Sequence, residues 1–229
     1  MNWDNLLFLH WPVEPDLLRR LVPEPLEIDT FDGRGWVGLV PFTMADCRFA
    51  GVPCLPGLTN FYECNVRTYV RHRGVPGVWF FSLDAQTLLP VAGGRWLWSL
   101  NYVYSRFVVK RERPEAGRGE VIDYRLSRRP GPWPAAETHV RWRAGDPLQR
   151  DPKGDDLASF LTERYWLYTK RRGSVWAGQV KHTPWSLRQA EVLHLEDTLV
   201  GAAGLEVGGL PLAYASEHMA VEGLALQRH

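Results

Sequence analysis

The sequence has almost no excess charge: 27 lysines and arginines stand against 26 aspartates and glutamates, a formal net charge of +1. Nucleic-acid and anionic-membrane binders normally carry a basic excess or stripe, so neither is expected as a partner. Long hydrophobic runs are missing as well. No stretch approaches the roughly 20 apolar residues that span a bilayer, and the apolar run near the N-terminus covers only Leu6 to Leu9. Without a basic leader or a small-residue cleavage site, that run does not read as a signal peptide. Cysteine is scarce: Cys47, Cys54 and Cys64 are an odd number with no CxxC pair. No disulfide framework is expected, and a reducing cytoplasm is the expected location. GxSxG, a Walker A loop and a GxGxxG turn are all absent. The histidines show no HxH or HExxH spacing, so neither a metal nor a cofactor is expected.

What is present describes an ordinary folded chain. Its 229 residues are 45% hydrophobic and 12% aromatic, too apolar for disorder to be the main state. The 17 prolines and 21 glycines fall mostly between elements, with no repeat and no linker-like change of composition, so residues 1–229 read as a single domain. A short helix is expected at Pro15–Leu21, with proline in the first turn, and a longer one at Asp155–Tyr168, where apolar residues recur at 3.6 spacing behind an aspartate cap. The dominant period is two. Strands are expected at Gly35–Met44, Phe61–His72, Val78–Leu83, Thr138–Arg143, Ser174–His182, Glu191–Leu195 and Pro211–Leu226. Asn101–Arg111 and Glu120–Arg128 form an expected hairpin across a Pro- and Gly-containing turn. The fold class is therefore mainly β with a few helices, an antiparallel barrel or sandwich.

Alternation places Glu63, Asn65, Arg67 and Tyr69 on one face of their strand, with Tyr62, Cys64, Val66, Thr68 and Val70 on the other. The first face either carries a solvated ion pair or, in a barrel, lines a cavity. Gly93-Gly94-Arg95 permits a tight turn that either aims a guanidinium inward toward an anion or leaves it solvated. His182, in Lys181-His182-Thr183-Pro184-Trp185, is a further candidate contact, and His10 and His218 read as ordinary hydrogen-bonded histidines. Asp84 reads as a turn-forming aspartate at a strand end. Lys110 and Lys181 could serve as amine nucleophiles only if buried.

The segments HWPVEPDLLRRLVPEPLEIDTFDGRGWVGLVPF, FYECNVRTYVRHRGVPGVWFFSLDA, LTERYWLYTKRRG and VKHTPW strongly resemble the YqjF-like family of bacterial proteins, across nearly the whole chain. That family is in turn distantly similar to acetoacetate decarboxylase, through Leu21-Val22-Pro23-Glu24-Pro25-Leu26-Glu27, the strand with Glu63, the strand ending Leu83-Asp84, and Gly94-Arg95. The resemblance implies a cone-like antiparallel β-barrel with a small-molecule cavity, assembled as a homo-oligomer built from dimers. It implies that Glu63 is a pocket glutamate. It also exposes departures. Tyr102 stands where the decarboxylase has its Schiff-base lysine, Val103 replaces the neighbouring lysine, and Asp4 occupies the place of a pocket arginine. A phenol forms no imine, so decarboxylation by that route is not expected.

The expected function is binding, in a barrel cavity, of a small molecule with an apolar body and a polar or anionic end. Glu63, Arg95, Tyr102, Arg67 and His182 are the candidate ligand contacts. The alternative is a cofactor-independent enzyme acting on a carbonyl or keto-acid substrate, with Glu63 as general acid/base and Tyr102 as a second catalytic candidate.

Overall fold

The computed structural model describes residues 1–47, 59–87, 99–113, 119–151 and 153–228. They form a mainly β structure built on one large sheet. In chain order the strands are β1 (Asn2–Val13), β2 (Glu27–Ile28), β3 (Gly35–Ala45), β4 (Phe61–His72), β5 (Val75–Ala85), β6 (Tyr102–Tyr104), β7 (Arg106–Glu112), β8 (Val121–Arg128), β9 (Ala136–Pro147), β10 (Trp166–Arg171), β11 (Ser174–Lys181), β12 (Arg188–Asp197), β13 (Leu212–Ala220), β14 (Glu222–Gly223) and β15 (Gln227–Arg228). Three short helices accompany them: α1 (Pro15–Leu21), α2 (Leu157–Thr162) and α3 (Leu199–Ala202). No helix among the described residues is long and apolar enough to cross a membrane.

The main hydrogen-bonded path runs β14-β11-β10-β5-β4-β3-β1-β13-β12-β9-β8-β7. Its ends stay apart, so the sheet is not closed into a barrel, contrary to the sequence expectation. The reason lies at Ser105. The predicted single strand Asn101–Arg111 is split there, because the Ser105 side chain turns inward to donate to Asp84 Oδ1 at 2.6 Å. β6, before the break, pairs parallel with β5, whereas β7, after it, pairs antiparallel with β8. β10 also lies parallel to β5, so the sheet is not purely antiparallel.

Strands β1, β3 and β4 are buried on both faces, which erases the simple inside-outside pattern. One face packs Leu7, Leu9, Val37, Leu39, Cys64 and Val66 against α1, α3 and the aromatic side chains of β8 and β9. The opposite face packs Leu6, Phe8, Val40 and Phe42 against α2 and Trp185. The continuous apolar character of β1 follows from this double burial, and it explains why alternation does not announce that strand. Pro41 sits inside β3, where a missing N–H would normally break a ladder. The β1–β3 register is interrupted between Asp4 and Leu9, across that position, and Asn5 there takes a left-handed φ of 53°.

The long helix expected at Asp155–Tyr168 shrinks to α2. Asp156 caps it, its Oδ1 accepting from the Ser159 N–H at 2.6 Å, as the sequence suggested. Beyond Glu163, however, Trp166–Arg171 forms β10, pairing with β11 along its whole length. The segment is rich in aromatic and β-compatible residues, and sheet pairing overrides a helical periodicity that was only fortuitous.

The sheet curls until β8 faces β4 and β5 across the interior. The Tyr124 hydroxyl donates to the Glu63 carbonyl at 2.8 Å. Arg128, on β8, reaches Asp84, on β5, through two N–H groups, one of them Nε–H donating to Oδ1 at 2.7 Å. Ser82 and Ser105 complete the network around that carboxylate. Asp84 is fully buried and is thus an interior ion-pair partner, not the turn residue the sequence suggested. Removing one member of such a pair leaves the other charge buried and uncompensated. Asp84→Asn should lower unfolding free energy by about 3–5 kcal/mol in urea titrations, and Asp84→Leu combined with Arg128→Met should recover much of the loss. Equal stability of Asp84→Asn and the parent would show that the pair contributes little.

Candidate functional site

The alternation of β4 places Glu63, Asn65, Arg67 and Tyr69 on one face, as the sequence indicated, and that face is interior. Glu63 is 2% exposed and Asn65 5% exposed, which removes the solvated ion-pair reading. Across the sheet, Phe42 lies beside Glu63, Val40 beside Asn65 and Gly38 beside Arg67, and His10 of β1 follows Gly38 in the same row.

Tyr102 reaches this face from β6, its hydroxyl donating to Glu63 Oε2 at 3.1 Å. Burial pushes the Glu63 carboxyl up to about 8. The Tyr102 hydrogen bond opposes that shift, and the negative charge of Asp84 adds to it. At neutral pH Glu63 is therefore a neutral acid with a proton of its own to donate. Burial and the adjacent Glu63 also drive the Tyr102 phenol well above its ordinary range. The nearby Cys47 thiol is pushed up to about 11, chiefly by burial, so it stays protonated and is a poor nucleophile.

Further along β4, and two strands across at His10 of β1, stands a second polar group. The Tyr69 hydroxyl donates its one proton to the Leu161 carbonyl at 2.8 Å, so the His10 contact of 2.6 Å must be an Nε2–H donating to Tyr69 Oη. His10 Nδ1 is then a bare acceptor. Burial, reinforced by Arg67, holds this imidazole well below its ordinary pKa and hence neutral. The Arg67 guanidinium lies over the rings of Phe8 and Tyr69, 5.6 and 5.8 Å from their centroids. Its Nη2 donates to the Leu161 carbonyl at 3.2 Å. The buried atoms on this face without a hydrogen-bond partner include His10 Nδ1, Asn65 Oδ1 and Arg67 Nε, with Trp36 Nε1 on the same face of β3.

Gly38 makes the row possible. A Cβ there would stand 3.1 Å from the His10 ring and 3.4 Å from Arg67 Cγ. A glycine inside a strand marks a close approach of this kind, and it is the sequence signal that could have promoted His10 from an ordinary histidine to a member of the site.

Of the other sequence candidates, His182 is placed apart. It stacks on Tyr165 at 4.6 Å and packs against Trp185 at 4.9 Å, while Nδ1 lies 2.7 Å from the Thr183 carbonyl. Trp185 meets Phe8 edge-on, and Phe8 underlies Arg67, so two rings stand between His182 and Arg67. Arg95 lies outside the described residues. All four lysines of the chain, Lys110, Lys153, Lys170 and Lys181, are exposed, and none is an interior amine. A surface groove of about 380 Å³, lined by Arg171, Arg172, Ser174, Trp176 and Arg228, offers no carboxylate and no lysine, cysteine or histidine.

Comparison with known proteins matches this geometry to a fold. A family model, DUF2071, described as an uncharacterized conserved protein, matches residues 1–220. The uncharacterized protein YqjF of Bacillus subtilis is 39% identical over 205 residues, covering 89% of this chain and 81% of that one. Among solved structures, acetoacetate decarboxylase from Legionella pneumophila matches with a TM-score of 0.66 at 14% identity, over 100% of this chain and 88% of that one. The enduracididine biosynthesis enzyme MppR complexed with pyruvate matches with a TM-score of 0.66 at 15% identity, over 98% and 88%. The fold is thus acetoacetate decarboxylase-like, as the sequence resemblance implied.

The raised Glu63 pKa fixes the sign of a pH effect. The folded protein keeps a proton up to about pH 8 that the unfolded chain releases near 4.5. The stability associated with neutral Glu63 is complete below pH 4.5 and is lost as pH rises toward 8. Glu63→Gln should flatten the pH dependence of unfolding free energy by up to about 1.4 kcal/mol per pH unit between those limits. Parallel slopes for parent and variant in urea titrations from pH 5 to pH 8 would show that Glu63 ionises normally.

Proposed function

The chain belongs to the DUF2071 family, and we propose that the buried face of β4 binds a small molecule with an apolar body and a carboxylate or carbonyl end, without forming a covalent bond to it. The observation that carries this reading is the trio of unpartnered buried atoms, His10 Nδ1, Asn65 Oδ1 and Arg67 Nε, on the same face as Glu63 and Tyr102. A buried polar atom without a partner costs on the order of 1–3 kcal/mol. Three on one face mark a place where another molecule supplies the missing partners. Arg67 offers charge to a carboxylate, neutral Glu63, held by the Tyr102 hydroxyl, offers an O–H donor to a carbonyl, and Phe8, Val40 and Phe42 offer apolar surface.

Imine chemistry is not part of the reading. Tyr102 occupies the position of the decarboxylase lysine, and the four lysines of the chain are exposed. An exposed amine has neither the desolvation nor the enclosure that makes a Schiff-base nucleophile. The two described cysteines, Cys47 and Cys64, are free and buried, which suits a reducing cytoplasm, and the reading retains the expected homo-oligomer built from dimers.

A second reading is favoured by one observation. A carboxyl group with a pKa near 8 is poised to exchange a proton at neutral pH, and a phenol 3.1 Å away could stabilise an enolate-like oxyanion. On this reading the ligand is a substrate, and Glu63 moves a proton to and from the carbon beside its carbonyl.

Pyruvate, the molecule in the MppR complex, and 2-oxo acids with longer chains are suitable probes. Calorimetric titration should show the longer 2-oxo acids binding and alcohols of equal length failing to bind. Arg67→Met should weaken binding by about tenfold or more. Borohydride added to the complex should leave the protein mass unchanged, and a reduced adduct would overturn the non-covalent reading. Deuterium exchange at the carbon beside the carbonyl, abolished in Glu63→Gln, would establish the enzymatic alternative. Absence of binding by every 2-oxo acid would remove both.

A further inference from the structure

A second cluster of chemistry-bearing side chains lies on the outward face of β8, β9 and β12. On β9, the even-numbered residues Thr138, Val140 and Trp142 point into the core, which turns Glu137, His139 and Arg141 outward. His139 sits directly across from Glu196 of β12, and Arg141 directly across from His194. The two imidazoles therefore meet on a diagonal, with ring centroids 4.3 Å apart. His194 Nε2 stands 3.6 Å from Glu196 Oε1, and His139 Nε2 stands 3.2 Å from Asp123 Oδ1 on β8. One ligand atom from each of His139, His194 and Glu196 lies within 4.8 Å of the other two.

Two further observations distinguish this cluster from ordinary surface pairing. Both imidazole Nε2 atoms are buried at the atomic level, and neither makes a hydrogen bond, in spite of the carboxylates beside them. Asp123 is already engaged: Arg125 Nε donates to it at 3.0 Å, and Arg141 Nε stands 3.5 Å from it. The Arg141 Nη2 group is held in turn by Glu112 at 2.9 Å. The neighbouring arginines thus bond to other carboxylates, while Glu196 feels Arg125 only through space and accepts no hydrogen bond from an arginine among the described residues.

We propose that His139, His194 and Glu196 form a binding site for a divalent transition-metal ion of the zinc class, clamping β9 to β12. Two nitrogens and one carboxylate oxygen suit zinc, nickel or cobalt and not calcium or magnesium, which demand oxygen donors. Metal–ligand bonds of about 2.0–2.2 Å in a tetrahedral site put donor atoms about 3.3 Å apart. The present separations close to that by rotation of surface side chains, with water in the fourth position. The sequence expectation of no metal rested on local spacing. These ligands come from two strands more than 50 residues apart in the chain.

The test uses the untagged, full-length, metal-stripped chain. Titration with zinc chloride against a chromophoric chelator should reveal one tight site per chain, and zinc should raise the thermal midpoint. His139→Ala and His194→Ala should each weaken binding by about tenfold or more and cancel the thermal shift. His218→Ala, which alters an exposed histidine paired with Asp4, should leave both readouts unchanged. Cobalt should give a visible d–d spectrum of nitrogen and oxygen ligation. Three results overturn the proposal: no zinc bound, zinc retained by the double variant His139→Ala/His194→Ala, or a near-ultraviolet thiolate band placing cobalt on cysteine. All the substituted residues are at the surface, so the variants are expected to fold.

Discussion

The buried ion pair between Arg128 and Asp84 is the interaction on which the rest of this molecule turns. It joins β5 to β8, two strands that share no hydrogen-bonded ladder. With the main sheet path open at its ends, these side chains reinforce the link that β6 and β7, on either side of Ser105, make between β5 and β8. Tyr124, bonded to the Glu63 carbonyl, performs the same service one strand over. Both contacts anchor the segment that carries the candidate site, so the geometry of Glu63 and Tyr102 depends on a pairing made on the other face of the sheet.

The electrostatic consequence runs the same way. Arg128 and two serine hydroxyls surround the Asp84 carboxylate in the interior. A second carboxylate nearby would then be doubly penalised, by desolvation and by like-charge repulsion. Glu63 responds by holding its proton. One buried carboxylate is ringed by a guanidinium and two hydroxyls, while its neighbour, lacking a cation, is left a neutral acid chiefly by burial. A tyrosine at position 102 fits this arrangement. A phenol can donate to Glu63 while remaining neutral itself, whereas a lysine in that place would favour the carboxylate.

Much of the fold is legible in the sequence where one physical period dominates. The alternation of β4 correctly grouped Glu63, Asn65, Arg67 and Tyr69, and proline in the first turn marked α1. Legibility fails where two requirements act on one segment. β1 is buried on both faces, so its apolar residues form a run instead of an alternation. Tyr165 and Tyr168 fit a helical stripe with Leu157 and Leu161, yet Trp166–Arg171 pairs as a strand, because pairing with β11 and β5 satisfies its backbone better than an isolated turn. Ser105 breaks a strand that alternation would continue, since its hydroxyl is needed by Asp84. The site was half legible for a related reason. Glu63, Arg67 and Tyr102 follow from strand register and family resemblance, but His10 enters through a glycine on an intervening strand. Arg128, 44 residues from Asp84, leaves no local trace at all.

That glycine has one more implication. At Gly38 the floor between the imidazole and the guanidinium is bare main chain, and the distance between their two strands is set by the pitch of the sheet, about 10 Å for two steps. Side chains can change shape with a single rotamer flip, but a strand spacing cannot. The row His10–Gly38–Arg67 therefore behaves as a fixed ruler. On the binding reading proposed above, a molecule touching both ends would have to match its length, and selectivity for size would reside in the backbone, with the surrounding side chains left to choose polarity.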